Sequence, residues 1–474
     1  MKLKLPQLRK VNPTSQPTTS GESKPLKPLC IVSCPIDTFS GYGARSRDFV
    51  KSLIEIKDSE WNIKILPQRW GDTPWNYMSK NDHLRSRFIN NLDPKNQPDI
   101  WIQITVPNEF APAGKYFNIG VTAGIETTVC PSSFITGFNK MDLNLISSNH
   151  SKDVSVRSAY EKRDKNTNKP IGTLKVEKPI EVLFEGLDLD KYYKNPKKSG
   201  LLDDINEDFC FLYTGHWLPG KFGEDRKNIS TLIYTFLDTF KNKVNKKPAL
   251  ILKANSVDYS ILDQEVTLKN INKIRNRKEF KGKILPNIYL LHGEMTDDEM
   301  NQLNNDPKVK VFANFTKGEG YGRPLAEAAI TGKPIITTNW SGHIDFLKSD
   351  YNILIGGSLK DVHPSAANQF LLKESQWFNI DTEIASKAMK DVVKYYKKYL
   401  EKSRKQTQYL KDNWSFDKMT EKLNLLLPKV QATAQVPPQT VGLNLPKLKK
   451  VQDNNTIKSE LPKLKIPKLK KLKI

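Results

Sequence analysis

The segment GEGYGRPLAEAAITGKPII, residues 318–336, holds a glycine-rich turn, a proline and two glutamates eight positions apart. Pro324 suits the first turn of a helix, because the N–H that it lacks would have no intrahelical partner there. Gly332 suits the left-handed residue that closes a helix, and Pro334 follows it as a stop. The pattern predicts a loop, a helix and a strand in succession, over 318–323, 324–331 and 334–338.

Two glycines of this segment leave backbone N–H groups uncovered in front of the predicted helix. Because the amides at a helix N-terminus attract anions, Gly320 and Gly322 favour a phosphate site. Glu319 lies in the loop, and Glu327 lies one turn into the helix. Carboxylates are poor phosphate ligands but good acceptors for hydroxyl groups. An anion pocket beside two hydroxyl acceptors suits a nucleotide sugar.

The segment resembles the Glu-x7-Glu region of retaining GT-B glycosyltransferases (glycosyltransferase family 4, or group 1), which include sucrose and glycogen synthases. In that family the first glutamate approaches the hydroxyls of the donor sugar and the second holds the nucleotide ribose. The resemblance therefore implies that Glu319 is catalytic and that Glu327 contacts the ribose. In the family the backbone amides between the two glutamates meet the sugar and the diphosphate, so the resemblance also implies donor contacts at the intervening residues, Gly320, Tyr321, Gly322, Arg323, Pro324 and Leu325. The alternative interpretation is a capped surface helix with ordinary acidic residues.

Short apolar runs alternate with amphipathic helical stretches from Cys30 onward. The candidate strands are 30–34, 63–67, 99–106, 118–124, 143–148 and 179–184 in the first half, and 209–215, 249–254, 287–293, 309–315, 334–339 and 352–357 in the second. Near-continuous apolar runs are typical of parallel strands that are buried on both faces, and their alternation with helices indicates βαβ units. Six strands twice predict an α/β protein of the GT-B class, with two doubly wound Rossmann-like domains facing a cleft.

The domain boundaries follow from changes in composition along the chain. We predict a disordered basic tail, an acceptor-side Rossmann-like domain, a linker, a nucleotide-sugar-binding Rossmann-like domain, helices that pack back toward the first domain and a basic repeat tail, over 1–28, 29–186, 187–207, 208–378, 379–428 and 429–474. Residues 157–178 are polar and lysine-rich, so we expect an exposed insertion there.

The length of 474 residues suffices for two globular domains. No apolar run reaches the eighteen residues of a membrane span, and the basic N-terminus lacks the apolar stretch of a secretory signal. These features predict a cytoplasmic protein. The cysteines show no metal-binding pattern, and free buried thiols are expected at Cys30, Cys34, Cys130 and Cys210.

The net charge of +23 is concentrated at the two ends of the chain. The unit LPKLKK at 445–450 returns as LPKLK at 461–465 and PKLKK at 467–471, and LPQLRK at 5–10 is a close copy. Leucine and lysine alternate with strand period, which suits the sheet edge of a partner, while the lysine density suits nucleic acid, anionic lipid or an acidic polymer. The alternative is a pair of solvated tails.

The second predicted domain opens with YTGHWLPGKFGEDRKN, in which Arg226 and Lys227 fall between a strand end and a helix start. Family members place a basic residue here against the donor diphosphate, so the resemblance implies catalytic roles for both, with Lys227 ahead of Arg226. Lysine and arginine complement the charge of a phosphate. His216 stands where members often carry an arginine, and Arg226 is a candidate for that role. The alternative is a solvated helix start.

Three further segments are candidates for the donor site. SGYGARSRDF resembles the glycine-rich loop that faces the donor, through Gly41 and Gly43, although a G-x-G string by itself indicates only a tight turn. Glu126 ends the fourth strand, where many family members have a histidine, and both Glu126 and His150 are candidates for that space. Glu294 and Met295 follow a strand at the position that passes the nucleotide base by backbone contact.

Other polar residues near the predicted cleft have weaker indications. His292 and His343 are interpreted as structural histidines, and Ser341 and Gly342 are candidates for the cleft wall. Asp188 and Asp190 match the D-x-D string of another glycosyltransferase fold, but they fall in the predicted linker. Because helix N-termini and basic side chains can neutralise a diphosphate, we expect no metal site and no cofactor apart from the nucleotide sugar as co-substrate.

Together these features predict a metal-independent glycosyltransferase, with hexosyl transfer and retention of configuration as the family precedents. NFTKGEGYGRPLAE with the downstream WSGHIDFL is most similar to phage-encoded glycosyltransferases, which would place the protein in the host cytoplasm. The basic charge leaves open nucleic acid as the acceptor. A second alternative is a catalytically silent GT-B-like module that binds glycans or docks on an assembly.

Overall fold

The computed structural model describes residues 27–80, 82–164, 166–195 and 200–429. The Leu-Lys repeats, and with them the predictions of disorder and docking for the two tails, lie outside these residues. None of the described helices is both long and apolar enough to cross a membrane.

The first half of the chain forms a six-stranded parallel sheet. Its elements are β1 Leu29–Cys34, α1 Gly41–Lys57, β2 Asn62–Pro67, β3 Ile100–Ile104, β4 Phe117–Thr122, α2 Ser132–Phe138, β5 Leu143–Ile146, α3 Asn149–Arg157, β6 Tyr160–Arg163, β7 Pro170–Leu174 and β8 Ile180–Val182. The strand order is β2-β1-β3-β4-β5-β8, and every neighbouring pair is parallel. Strands β6 and β7 form a separate antiparallel hairpin.

The second half repeats this plan. Its elements are β9 Cys210–His216, α4 Ile229–Phe240, β10 Ala249–Asn255, α5 Ile261–Arg275, β11 Ile288–Leu291, α6 Asp297–Asn305, β12 Val309–Asn314, α7 Arg323–Ile330, β13 Ile335–Thr338, β14 Ile353–Ile355, β15 Gly357–Asp361 and β16 Gln376–Ile380. Strands pair in the order β11-β10-β9-β12-β13-β14, again all parallel. Single 3-10 turns lie at His83–Arg87, Pro107–Glu109, Lys278–Phe280 and Gly342–Asp345.

The prediction of two doubly wound sheets is confirmed, and each of the twelve predicted strands is present. All seven residues of β10 are buried, as expected for a strand that is covered by helices on both faces. Helix α4 covers the second sheet with an aromatic face, where the ring of Phe236 lies 5.7 Å from that of Phe211. Helix bounds also agree closely, since α7 begins one residue before the predicted start and ends one residue before the predicted end.

Two antiparallel hairpins were not predicted from the sequence. The segment expected to be an exposed insertion contains β6 and β7, most of whose residues are exposed. Strands β15 and β16 form the other hairpin. Every residue of β15 is exposed. Its sequence GSLKD therefore needs no apolar run, and such a run was the feature that predicted the buried strands.

We call residues 27–187 the first lobe and residues 208–413 the second lobe, and both belong to one compact unit of the chain. The last three helices that the structure describes are α8 Thr382–Lys394, α9 Tyr396–Asn413 and α10 Phe416–Leu426. Helix α10 packs on α1 of the first lobe, where the hydroxyls of Ser52 and Thr420 are 2.7 Å apart.

Replacing Gly186 by alanine is expected to destabilise the protein. The new Cβ would lie 2.7 Å from Cα of Phe416 and 2.8 Å from Cβ of Met419, both in α10. Overpacking of this kind typically costs about 1–3 kcal/mol, so the variant should unfold at a lower temperature than the wild type. Gly356→Ala is the matched control, because nothing lies within 4 Å of the Cβ it would add. Equal unfolding midpoints for the two variants would contradict this packing.

Candidate functional site

The site is built around the loop that precedes α7. Gly322 caps the helix with φ of +98°, and Gly332 follows its end with φ of +82°, so both occupy the left-handed region that favours glycine. The amides of residues 320–323 form no hydrogen bond with any other described residue. A helix N-terminus with free amides is suited to an anion.

Two other glycines of this loop, Gly318 and Gly320, allow the lobes to touch. A Cβ on Gly318 would lie 2.0 Å from the carbonyl oxygen of Glu126, and one on Gly320 would lie 2.4 Å from that of Ala123. Both carbonyls belong to the loop after β4 in the first lobe. Packing between the lobes therefore requires glycine at position 320, in addition to the predicted role of Gly320 in binding phosphate.

Glu319 lies in a compact ionic cluster with residues from both lobes. Lys227 Nζ is 2.6 and 2.8 Å from its two carboxylate oxygens, and Arg226 Nη1 is 3.5 Å from Glu319 Oε2. Arg226 Nη2 is also 3.7 Å from Oε1 of Glu126, in the first lobe. The structure thus brings together the three predicted catalytic residues and one of the predicted donor contacts.

Local hydrogen bonds hold the two contributing loops of the second lobe together. The amide of Lys317 donates to the carbonyl of Arg226 at 2.8 Å. Arg226 in turn donates from Nη1 to the carbonyl of Gly318, also at 2.8 Å. Ser341 Oγ accepts from the amide of Glu319 at 2.9 Å, so Ser341 supports the loop rather than facing a ligand with its hydroxyl.

The cations around Glu319 set its charge. Burial by itself would raise the pKa of this carboxyl, but Lys227 and then Arg226 outweigh it and lower the pKa to about 2. Glu319 is therefore ionised at any working pH. It can accept hydrogen bonds from hydroxyl groups, and it has no proton to give to a leaving group.

Glu327 has a different environment. Arg323 Nε donates to Glu327 Oε1 at 2.9 Å, and Oε2 accepts no hydrogen bond within the described part of the chain. Burial raises the pKa of Glu327 to about 7, because Arg323 offsets only part of the lost hydration. The carboxyl therefore changes charge near neutral pH.

A cavity of about 250 Å³ lies between the lobes beside Glu327. The predicted donor contacts on its wall are Gly41, Glu294, Met295, Arg323 and Glu327. His216 lines it too, and loss of hydration and the nearby charge of Lys227 lower the pKa of His216. His216 therefore lies on the cavity wall within reach of the charge of Lys227.

Some predicted donor contacts point elsewhere. The phenol ring of Tyr321 is buried against Phe346, with ring centroids 4.8 Å apart, and the side chain of Leu325 is fully buried. The side chains of these two residues therefore pack in the core, and a donor contact at either position is left to its backbone. The side chain of Pro324 is partly buried in the first turn of α7.

The glycines of the first lobe require a correction. Gly41 and Gly43 lie in the first turn of α1, whose cap is Ser40, and not in a loop that faces the donor. A Cβ on Gly43 would lie 2.3 Å from the carbonyl oxygen of Thr38. Gly43 is therefore required for packing, whereas Gly41 does line the cavity.

Three of the histidine side chains contact other protein groups. His292 Nε2 lies 2.8 Å from Asp263 Oδ2, and buried His343 lies 2.7 Å from the carbonyl of Thr338. His150 packs edge-on against Trp340 at 4.6 Å, and burial lowers its pKa to about 4. No group of three His, Cys, Asp or Glu residues among those described is arranged to hold a metal ion.

The cavity wall also contains residues that the sequence did not single out. Among them are Arg47, Asp48, Tyr77, Lys191, Lys253 and Asp297. Lys253 had a signal, because it interrupts the apolar run of β10 near its carboxyl end, where ligands bind in such sheets. The others come from four separate segments of the chain, and only Arg47 and Asp48, both in α1, are neighbours in sequence.

No protein-family model and no curated protein sequence matches this chain. Its structure is similar to sucrose-phosphate synthase from Thermosynechococcus elongatus (TM-score 0.55, 9% identity, 84% of this chain and 98% of that one). It is similar to Anabaena HepE in complex with UDP-glucose (0.54, 11%, 84% and 98%) and to a glycosyltransferase from Rickettsia africae (0.52, 13%, 84% and 97%). With two doubly wound sheets facing one cleft, the chain has the GT-B fold.

Proposed function

We propose that this protein is a glycosyltransferase that takes its sugar from a nucleotide-diphosphate sugar. One observation carries the proposal: the free amides of residues 320–323 lie between Glu319, which is paired with Lys227 and Arg226, and Glu327, which faces a cavity. This arrangement offers an anion site flanked by two hydroxyl acceptors, and those are the groups that a nucleotide sugar presents.

The proposed donor lies along this row of groups. The nucleoside occupies the cavity, where Glu327 Oε2 accepts from the ribose hydroxyls and the backbone at Glu294 and Met295 passes the base. The diphosphate contacts the free amides at the start of α7. The sugar then reaches Glu319, in the ionic cluster beside the first lobe. The structure of HepE holds UDP-glucose, so UDP-glucose is the first donor to test.

In the proposed mechanism, negative charge grows on the diphosphate as the bond to the sugar breaks. Lys227 and Arg226 neutralise that charge in this mechanism, and a fixed cation contributes most in a dehydrated site. Glu319, ionised throughout, accepts from the sugar hydroxyls and holds the ring in place. We propose that the reaction needs no metal ion, and that configuration is retained, as in the family that the sequence resembles.

Replacing Glu327 by glutamine is expected to weaken nucleotide binding about ten- to hundredfold. A hydrogen bond to a charged acceptor contributes about 1.5–3 kcal/mol, and the neutral amide accepts less strongly while keeping the side-chain volume. Titration calorimetry with UDP measures the change, and Glu421→Gln, in a surface pair with Lys418, is the control. An unchanged dissociation constant in the first variant would remove Glu327 from the site.

Binding of a nucleotide sugar is expected to strengthen as the pH rises from 6 to 8. The pKa of Glu327 is raised to about 7, so the carboxyl loses its proton over this range and becomes the better acceptor. A nucleotide sugar is the right probe, because the terminal phosphate of a free nucleotide itself titrates near pH 6. Calorimetry should show the pH dependence in the wild type and a flat profile in Glu327→Gln; equal profiles would contradict the assignment.

A further inference from the structure

A salt bridge across the lobes reaches directly into the proposed ribose site. Asp48, in α1 of the first lobe, accepts from Arg323 Nη1 of the second lobe at 2.7 Å. The Asp48 side chain is 6% exposed and that of Arg323 is 18% exposed. Glu185 adds a second carboxylate of the first lobe, 3.6 Å from the same nitrogen. Arg323 is thus held mainly from the opposite lobe.

The same guanidinium holds Glu327. While Nη1 is bound to Asp48, Nε donates to Glu327 Oε1 at 2.9 Å. This leaves Oε2 as the carboxylate oxygen that is available to a ligand in the cavity. Because the donors of a guanidinium lie in one rigid plane, the position of Asp48 fixes the orientation of Arg323 and, through it, that of Glu327.

A second tether on the same cavity also joins the lobes. Asp297, at the start of α6, accepts from the hydroxyl of Tyr77 in the first lobe at 3.0 Å and from Lys191 Nζ at 2.8 Å. Asp48, Arg323, Asp297 and Tyr77 all line the cavity beside Glu327. The observed approach of the lobes is therefore stabilised at the wall of the proposed nucleotide site.

We propose that Asp48 is a positioning residue for donor binding, which acts through Arg323 on Glu327 and thereby makes tight nucleotide binding depend on the approach of the two lobes. The proposal rests on the proposed function, since Glu327 must contact the nucleotide. It adds that a first-lobe residue that was not among the predicted donor contacts controls the geometry of a second-lobe contact. Bound nucleotide, in turn, favours the arrangement in which Asp48 and Arg323 are paired, because linkage is reciprocal.

Asp48→Asn tests the proposal, because asparagine keeps the size of the side chain and removes the charge that anchors Arg323. We expect calorimetry to show that UDP binds about tenfold more weakly. This is the lower end of the effect of mutating a residue that only orients a direct binding residue. With UDP-sugar as donor, KM should rise by a similar factor and kcat should change less than about twofold, because the chemical step does not use Asp48. A role in stability alone would lower the unfolding temperature and leave KM unchanged.

A double-mutant cycle with Glu327→Gln separates positioning from a general effect. If Asp48 acts through Arg323 on Glu327, Asp48→Asn should weaken UDP binding by less than about twofold in the Glu327→Gln background. Independent, multiplying effects would overturn the proposal. Asp58→Asn is the control, because Asp58 follows the last residue of α1 and pairs with Arg87 of its own lobe at 2.7 Å, and this variant should bind UDP as the wild type does.

Two further variants keep the test decisive if Asp48→Asn does not fold. Asp48→Glu retains the charge and should recover most of the UDP affinity. Arg323→Lys retains a cation but lacks the planar fork that bridges two carboxylates, and it should raise KM about tenfold. If the wild type binds no nucleotide, the proposed function fails; if it binds and all these variants bind equally well, only the positioning role fails.

Discussion

Glu319→Gln is expected to lower the rate of sugar transfer about a hundredfold or more while leaving the affinity for the nucleoside diphosphate intact. In the proposed mechanism Glu319 contacts the sugar and not the nucleotide, and removing one preorganised polar contact at a reacting centre typically costs about 10²–10³ in kcat. The substitution also frees Lys227 from its partner at 2.6 Å, so binding of a diphosphate should be retained or strengthened. Release of nucleoside diphosphate and calorimetry measure the two effects separately.

Glutamine is the informative replacement at this position. Alanine would leave Lys227 and Arg226 facing a buried gap, and breaking a buried ion pair can destabilise a protein by about 3–5 kcal/mol. Thermal unfolding of Glu319→Gln provides the folding control. Transfer at the wild-type rate in a folded variant would show that Glu319 has no part in the reaction.

Lys227→Met is expected to impair both binding and transfer. Lys227 supplies a partly buried cation beside Glu319, which directly precedes the free amides of residues 320–323. Its charge counts most when the diphosphate departs. We expect diphosphate affinity to fall about tenfold, as for the loss of one charge-assisted hydrogen bond, and transfer to fall by a further factor of about a hundred.

Lys221→Met is the matched control for this second variant. Lys221 lies in the same loop as Lys227, between β9 and α4. Its side chain is exposed, and its hydrogen bond to Ser365 is donated by the backbone amide. The control should bind and react as the wild type does. If Lys227→Met retains both diphosphate affinity and turnover, the leaving group is not neutralised here.

Parallel strands and helix ends were predictable because their signals are local. Buried strands such as β10 are continuous apolar runs, and Pro324 and Gly332 mark the ends of α7 to within two residues. The exposed hairpin of β15 and β16 has no such signal, because neither a continuous apolar run nor a tight two-residue turn marks it.

The site was predictable where the Glu-x7-Glu resemblance reached, and less so elsewhere. The resemblance named Glu319 and Lys227 as site residues, and the structure places them in contact. It gave no indication that Arg323 would pair with Asp48, which precedes it by 275 positions. Contacts of that kind depend on how the two lobes pack against each other, and no single segment of the sequence predicts that packing. The side-chain position of Tyr321 was not predictable either, since a motif position does not reveal that the ring packs in the core.

Thermal unfolding of the wild type and of Glu327→Gln with UDP-, GDP- and ADP-sugars measures whether a nucleotide sugar binds at the N-terminus of α7. Binding at a hundred times the Kd adds about 2.7 kcal/mol to the free energy of unfolding. We predict that at least one donor raises the unfolding midpoint of the wild type and raises that of Glu327→Gln much less. No shift with any nucleotide sugar at millimolar concentration, or an equal shift in both proteins, would contradict binding of a nucleotide sugar at this helix and Glu327.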